Sequence, residues 1–153
     1  GVDPRAVLAI TFTRKATVEI VQEYLEKWQG KMEVRGITIG EKKFLLVWMD
    51  KSVEDEVNTL WETSPSRAFT VNGLAQALCM ALIRDLIPEI AIKGCAPVPT
   101  PFKALKDALK SLDLTWEKDS TLSRQFAMLT PYPFQGGCSI CHINGDCPNA
   151  TAD

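Results

Sequence analysis

The chain has 153 residues, of which 46% are hydrophobic and 24% are charged, a composition typical of a globular protein that buries an ordinary core. The formal net charge of −2 gives no general attraction for nucleic acid or for an anionic membrane. The hydrophobic content argues against wholesale disorder, and no apolar run in the sequence approaches the length of a membrane span.

The first third of the chain predicts a strand, a helix and a β-hairpin. Residues 6–12 form a short apolar run that is consistent with a buried strand. Residues 15–28 follow with helical spacing. The apolar face of this helix should consist of Val18, Val21, Leu25 and Trp28. Two β-like stretches, 33–39 and 43–49, are joined through Gly40, and the second is continuously apolar from residue 44, as expected for a central strand.

The middle of the chain predicts two helices. Ser52 is expected to cap the first, whose apolar positions include Val53 and Val57. A break at residues 64–66 separates it from the most apolar helix, which should begin at Thr70 or Asn72 and end or kink at Pro88. Leucine recurs in this helix at four-residue spacing, at positions 74, 78, 82 and 86.

The last third predicts a rigid link, one more helix and a cysteine-rich segment. Residues 94–101 are rich in turn formers, and Thr100 should start a helix with an apolar face. Residues 121–130 are ambiguous between a short helix and a strand. The order predicts an α+β domain over residues 1–130, with helices packed on one face of a small antiparallel or mixed sheet, and a cysteine-rich loop over residues 131–153 packed on the same domain.

The cysteine-rich loop is the strongest functional signal in the sequence. Three of the five cysteines, Cys138, Cys141 and Cys147, lie within ten positions together with the only histidine. A Cys-x2-Cys pair presents two sulfurs to one centre, because the turn between them folds both side chains inward. Thiolates are the preferred ligands of zinc and of iron–sulfur clusters. The spacing therefore predicts a metal or cluster site that still needs a fourth ligand.

Cys95 is the expected fourth ligand. It lies in a turn bounded by glycine and proline, which would hold its side chain in place at the end of an element. His142 is the alternative, although it would have to fold back tightly because it is adjacent to Cys141. Cys79 lies within the leucine-rich helix and is expected to be a small core residue, since buried cysteine is common.

The spacing Cys138-x2-Cys141-x5-Cys147 resembles the end of the iron–sulfur loop of endonuclease III-type DNA glycosylases. It is also similar to the C-terminal cysteines of iron–sulfur RecB-like nucleases, in which the first cysteine lies far upstream. The resemblance covers residues 138–147 alone and implies that these three cysteines are ligands of a [4Fe–4S] cluster. Because no Lys or Arg follows Arg124, we expect no nucleic acid to bind at this loop.

Three other interpretations of the loop remain open. Zinc held by the loop cysteines with Cys95 or His142 would tie the C-terminal segment to the body, and the chain would be a zinc-stapled interaction domain. Residues 138–142 also satisfy the attachment pattern of c-type haem, with Met80 or Met128 as the second axial ligand. The first two cysteines of the loop would alternatively form a redox-active pair.

We therefore expect a protein that binds a [4Fe–4S] cluster for redox, sensing or structural purposes, with residues 131–134 shielding the cluster and an unspecified protein as a partner. The alternative is an enzyme in which the metal is structural and a pocket near Asp50 or the loop performs the chemistry. The odd number of cysteines argues against a fully paired disulfide framework, so we expect a reducing, cytoplasmic setting.

Overall fold

A three-stranded antiparallel sheet lies at the centre of the fold. The computed structural model describes residues 4–93, 95–117 and 121–148, except for the side chains of residues 4–15 and of Lys93. The elements are α1 (Pro4–Lys27), β1 (Met32–Ile39), β2 (Lys42–Met49), α2 (Lys51–Thr63), α3 (Pro65–Leu86), α4 (Pro88–Lys93), α5 (Lys103–Lys110) and β3 (Ala127–Pro131), followed by two 3₁₀ turns, Cys138–Ile140 and Asn144–Asp146. No helix in these described ranges is long and apolar enough to cross a membrane.

The strand order is β1-β2-β3, so β2 is the central strand, as its continuous apolar run predicted. Ile39 pairs with Lys42, which leaves Gly40 and Glu41 as a two-residue hairpin turn. Gly40 has a φ of 61°, a left-handed conformation that glycine adopts without the steric cost of a side chain. The predicted hairpin is therefore confirmed.

The central strand divides the core in two, because successive side chains of a strand point to opposite faces. Leu45, Val47 and Met49 belong to the first core cluster, which they form with buried residues of α1, α2, α3 and α4. The second core cluster consists of Ile37, Phe44, Leu46, Trp48, Leu105, Leu109, Leu114 and Leu129. The α+β class with a small antiparallel sheet is confirmed. Helices α1 to α4 share one face as predicted, whereas α5 covers the other, because that face of β2 is equally apolar.

The N-terminal part of the chain differs from the prediction. Residues 6–12 belong to α1, so the predicted strand is wrong. A short apolar run fits a strand or a helix equally well, and no glycine or proline separates this run from the helical residues that follow. The buried face of α1 also differs, because Tyr24 and Trp28 are buried whereas Val18 is 54% exposed and Leu25 is exposed too. The two aromatic rings pack 5.1 Å apart and set this face.

The boundaries of α2 and α3 also differ in detail. Asp50, rather than Ser52, caps α2, and it accepts a hydrogen bond of 2.9 Å from the backbone N–H of Ser52. The hydroxyl and the backbone N–H of Ser52 both donate to Asp50 and lower the pKa of its carboxyl. Helix α3 begins at Pro65 rather than at residue 70 or 72, because proline is tolerated in a first helical turn. It ends before Pro88, as predicted.

Residues 121–130, for which the sequence predicted either a short helix or a strand, contribute to a strand. Residues 127–131 form β3, which pairs with β2 and completes the sheet. Leu105 and Leu109 of α5 are fully buried against the second core cluster, as their helical spacing predicted. The helix begins after Phe102 rather than at Thr100. Residues 95–99 run between α4 and α5 without regular structure, and we call them the strap.

Candidate metal centre

The four cysteines expected as ligands line one cavity. Cys95, Cys138, Cys141 and Cys147 surround a space of about 100 Å³. All four are thiols rather than disulfides, and Cys95 is exposed while the other three are half-buried. The rest of the lining is mainly apolar and consists of Ala96, Pro97, Val98, Gly137, Ile143 and Asn144. Cys95 thus folds back onto a loop that is remote from it in sequence, and we call the space the cysteine cavity.

The four thiols also interact electrostatically. Burial raises the pKa of Cys95, and the neighbouring thiols of Cys141, Cys147 and Cys138 raise it further. A like charge nearby disfavours ionisation, so the neighbouring thiols disfavour the thiolate form of Cys95. A cation at the centre reverses this preference, because thiols that coordinate a metal are deprotonated. The cavity therefore has the donor chemistry of a metal or cluster site.

The loop is folded by short turns. The backbone N–H of Cys141 donates to the carbonyl of Cys138 at 3.2 Å, which closes the turn that the Cys-x2-Cys spacing predicted. Gly136 has a φ of 142°, a conformation that favours glycine just before this turn. The second turn, Asn144–Asp146, leads into Cys147. Neither turn contains a buried residue, so the hydrophobic core does not hold these two turns in place.

The strap holds the loop from one side. The backbone N–H of Val98 donates to Sγ of Cys141 at 3.2 Å. The carbonyl of Val98 accepts a hydrogen bond of 2.7 Å from the backbone N–H of His142. On the sheet side, the hydroxyl of Thr130 donates to the carbonyl of Pro97 at 3.0 Å. The strap therefore joins the sheet to the cysteine loop.

The alternative ligands lie elsewhere. The side chain of His142 is exposed and is not part of the cavity lining, although its backbone binds the strap. Met80 and Met128 are partly buried against the first core cluster. In the part of the chain that the structure describes, no three or more His, Cys, Asp or Glu side chains form a group that could hold a metal ion in the present geometry. The four thiols surround a space instead of converging on one point.

The prediction that residues 131–134 shield the cysteine cavity is wrong. Phe134 packs against the first core cluster and Tyr132 is exposed, and neither lines the cysteine cavity. The apolar wall comes from Pro97 and Val98 of the strap and from Ile143 of the loop. A large aromatic ring makes more apolar contacts in the core than beside a small cavity, and Phe134 lies against the core.

A larger cleft of about 540 Å³ lies beside the cysteine cavity and shares Ala96 and Val98 with it. Its polar lining includes Asn72 and Gln76, while Arg124 is its one titratable residue in the described ranges. The guanidinium of Arg124 donates to Glu54 at 2.7 Å and to the carbonyl of Met49 at 2.9 Å. Among its described residues, the cleft thus presents hydrogen-bonding groups without an acid–base pair.

Asp50 is outside this cleft and the cysteine cavity. Its carboxylate is engaged at the start of α2, where it accepts hydrogen bonds from Ser52. A carboxylate that caps a helix is already serving a structural purpose. The geometry therefore gives no support to a catalytic role for Asp50.

A comparison of the chain with protein-family models, with curated proteins and with solved structures finds no match. The resemblance of the loop to those of DNA glycosylases and RecB-like nucleases stays a prediction. The function of the chain is therefore inferred from the geometry and chemistry of its own residues.

Sequence reasoning missed the residues that hold the site together. Val98 and Thr130 carry no metal-binding group, so a search for ligands passes over both. One signal was present, since Pro97 and Pro99 flank Val98 and leave it the only backbone N–H of the three. Thr130 gave no such signal, because its role depends on the pairing of β3 with β2.

Proposed function

We propose that this chain is an iron–sulfur protein that holds a [4Fe–4S] cluster through Cys95, Cys138, Cys141 and Cys147. The observation that carries the proposal is that all four thiols line one small cavity. The fifth cysteine, Cys79, is 1% exposed in the first core cluster, and burial raises its pKa to about 11. Cys79 is thus protonated and inert at neutral pH. One cysteine therefore lies in the core, and the other four are candidate ligands.

The size and the walls of the cavity favour a cluster over a single ion. Zinc binds sulfur at roughly 2.3 Å and draws its four ligands around one point. A space of about 100 Å³ is larger than one ion needs, since a water molecule occupies roughly 30 Å³ in the liquid. Apolar walls and an amide hydrogen bond to sulfur, such as that from Val98 to Cys141, are features that tune the potential of bound clusters.

The position of the cavity supports a redox or sensing role. Cys95 is exposed, so one edge of a bound cluster would lie close to solvent and to a protein partner. When bound, the cluster supplies one-electron chemistry. The described lining of the neighbouring cleft offers no acid–base pair, which favours electron transfer or sensing over hydrolytic catalysis.

The proposal extends to the setting and the partners of the chain. Five thiols without a disulfide fit a reducing compartment, and we propose the cytoplasm. The partner would be a protein that approaches the exposed edge at Cys95. Nucleic acid is not proposed as a partner, because the loop itself has no Lys or Arg to neutralise phosphate.

Elemental analysis of anaerobically purified protein tests this function. We expect about four iron atoms and four acid-labile sulfides per chain, with broad absorption near about 400 nm. The Cys147→Ala variant should lose most of both, whereas the matched Cys79→Ala variant should keep them. Stoichiometric zinc without iron would overturn the proposal and establish the zinc-stapled alternative.

A further inference from the structure

The strap offers its loop a single backbone donor at a defined place. Pro97 and Pro99 lack an N–H and hold their own φ angles close to one value, so the central Val98 has the only N–H of the three residues. That N–H is directed at Sγ of Cys141, 3.2 Å away. The Pro-Val-Pro sequence thus places one hydrogen-bond donor against one candidate ligand.

The same residue makes a second hydrogen bond to the loop. The carbonyl of Val98 accepts from the backbone N–H of His142 at 2.7 Å, so Val98 engages two consecutive loop residues with its N–H and its C=O. One residue of an extended chain directs both polar groups to the same side, as in a hydrogen-bonded pair of strands. Cys141 is therefore held in place relative to the strap, and Cys95 precedes Val98 by only three positions.

The other edge of the strap is fixed to the sheet. The hydroxyl of Thr130 donates to the carbonyl of Pro97 at 3.0 Å, and Thr130 is the one fully buried polar side chain among the described residues. A buried hydroxyl is costly unless it is paired, so this bond favours one position of the strap. Thr130 pairs with Leu45 of the central strand, so its hydrogen bond joins the strap to the sheet.

We infer that Val98 and Thr130 are positioning residues of the candidate cluster site, an inference that rests on the proposed function. The N–H of Val98 stabilises negative charge on the sulfur of Cys141. Thr130 fixes the strap and thereby keeps Cys95 at the cavity. A donor to sulfur favours the more negative, reduced state of a cluster, so its loss should lower the reduction potential.

The first experiment removes the N–H of Val98, and the same exchange weakens the carbonyl of Pro97 as the acceptor for Thr130, so the potential of Thr130→Val is measured beside it. Replacing Val98 by its α-hydroxy analogue exchanges that N–H for an ester oxygen, and the same exchange at Thr100 is the matched control, because Thr100 has the next N–H along the chain. We expect a reduction potential below that of the wild type at position 98 and no comparable shift at position 100. Equal potentials in all three proteins would overturn the role of Val98.

The second experiment removes the hydroxyl of Thr130. Thr130→Val keeps the side-chain volume but removes the hydroxyl, whereas Thr130→Ser keeps a hydroxyl. The control is Thr38→Val, at an exposed position of β1. Loss of one buried hydrogen bond should speed release of iron to a chelator by about fivefold in Thr130→Val. Thr130→Ser should return towards the wild-type rate. Equal release rates in Thr130→Val and in the wild type would overturn the role of Thr130.

A third measurement separates this inference from the proposed function. If the wild-type protein contains no iron, the proposed function fails, and the strap is then tested in the metal-free protein by the alkylation rate of Cys141. At alkaline pH, where the cysteines react as thiolates, a hydrogen bond to the sulfur slows alkylation, so Cys141 should react faster in the Val98 ester and in Thr130→Val than in their controls. Unchanged alkylation rates would overturn the inference by themselves.

Discussion

The sheet body and the cysteine loop are held in place by different means. In the body, the side chains of Leu46 and Val47 are fully buried on opposite faces of β2, and helices cover both faces. The two 3₁₀ turns of the loop contain no buried residue, and the hydrogen bonds of Val98 connect the loop to the body. Burial of apolar surface therefore holds the body together, whereas hydrogen bonds from the strap hold the cysteine turns of the loop.

The largest expected effect comes from the core of the body. Leu46→Ala removes a fully buried side chain from the second core cluster and should lower the free energy of unfolding by about 3 kcal/mol. Val34→Ala, at an exposed position of β1, should change it by less than about 0.5 kcal/mol. Urea unfolding of the metal-free proteins measures both. Similar losses in the two variants would contradict the placement of the core.

A smaller effect is expected where the C-terminal segment meets α2. Arg124 and Glu54 are only 16% and 15% exposed and form an ion pair of 2.7 Å. Arg124→Met leaves the Glu54 carboxylate without its partner and should cost about 2 kcal/mol. The control is Lys103→Met, which breaks a 3.5 Å pair with Asp107 on the surface and should cost less than about 0.5 kcal/mol. Equal costs in urea unfolding would show that burial does not strengthen the Arg124 pair.

The smallest effect is expected at the start of α2. Asp50→Ala removes the helix cap and should lower the free energy of unfolding by about 1 kcal/mol at pH 7, whereas Asp50→Ser keeps a capping hydroxyl and should lose less. Hydrogen bonds from Ser52 hold the pKa of Asp50 below its usual 3.8 in the folded state. The ionised carboxylate of Asp50 therefore contributes fully to the free energy of unfolding above pH of about 4. This contribution is lost as the pH falls through the lower pKa of the folded state.

Thermal unfolding between pH 7 and pH 2 measures this dependence on pH. The difference in melting temperature between the wild type and Asp50→Ala should shrink as the pH falls below about 4, since the protonated carboxyl is a weaker acceptor. A difference that stays constant over this range would show that the charge of Asp50 does not contribute through its hydrogen bonds to Ser52.

Local signals predicted the parts of the fold that local interactions determine. The hairpin followed from Gly40 between two apolar stretches, and the turn between Cys138 and Cys141 followed from their spacing. Cys95 was singled out by its glycine- and proline-bounded position, and it does line the same cavity as the loop cysteines. The hairpin and the turn are encoded within a few consecutive residues, whereas the approach of Cys95 to the loop depends on the tertiary fold.

Features that depend on tertiary packing were missed. The run at residues 6–12 fits a strand or a helix, and only its continuity with α1 decides between them. Helix α5 covers the second face of the sheet because Phe44 and Trp48 of β2 are apolar there. The need to bury this second face follows from the assembled sheet and not from any single segment of the sequence. The hydrogen bond from Thr130 to Pro97 joins segments remote in sequence, so no local pattern reveals it.

The claim that Cys95 completes a site begun by the loop cysteines predicts that the Cys95→Ala variant loses its iron. Iron and acid-labile sulfide are measured in anaerobically purified wild type, Cys95→Ala and Cys79→Ala. We expect about four irons per chain in the wild type and in Cys79→Ala, and less than about one in Cys95→Ala. Wild-type iron content in Cys95→Ala would contradict the claim.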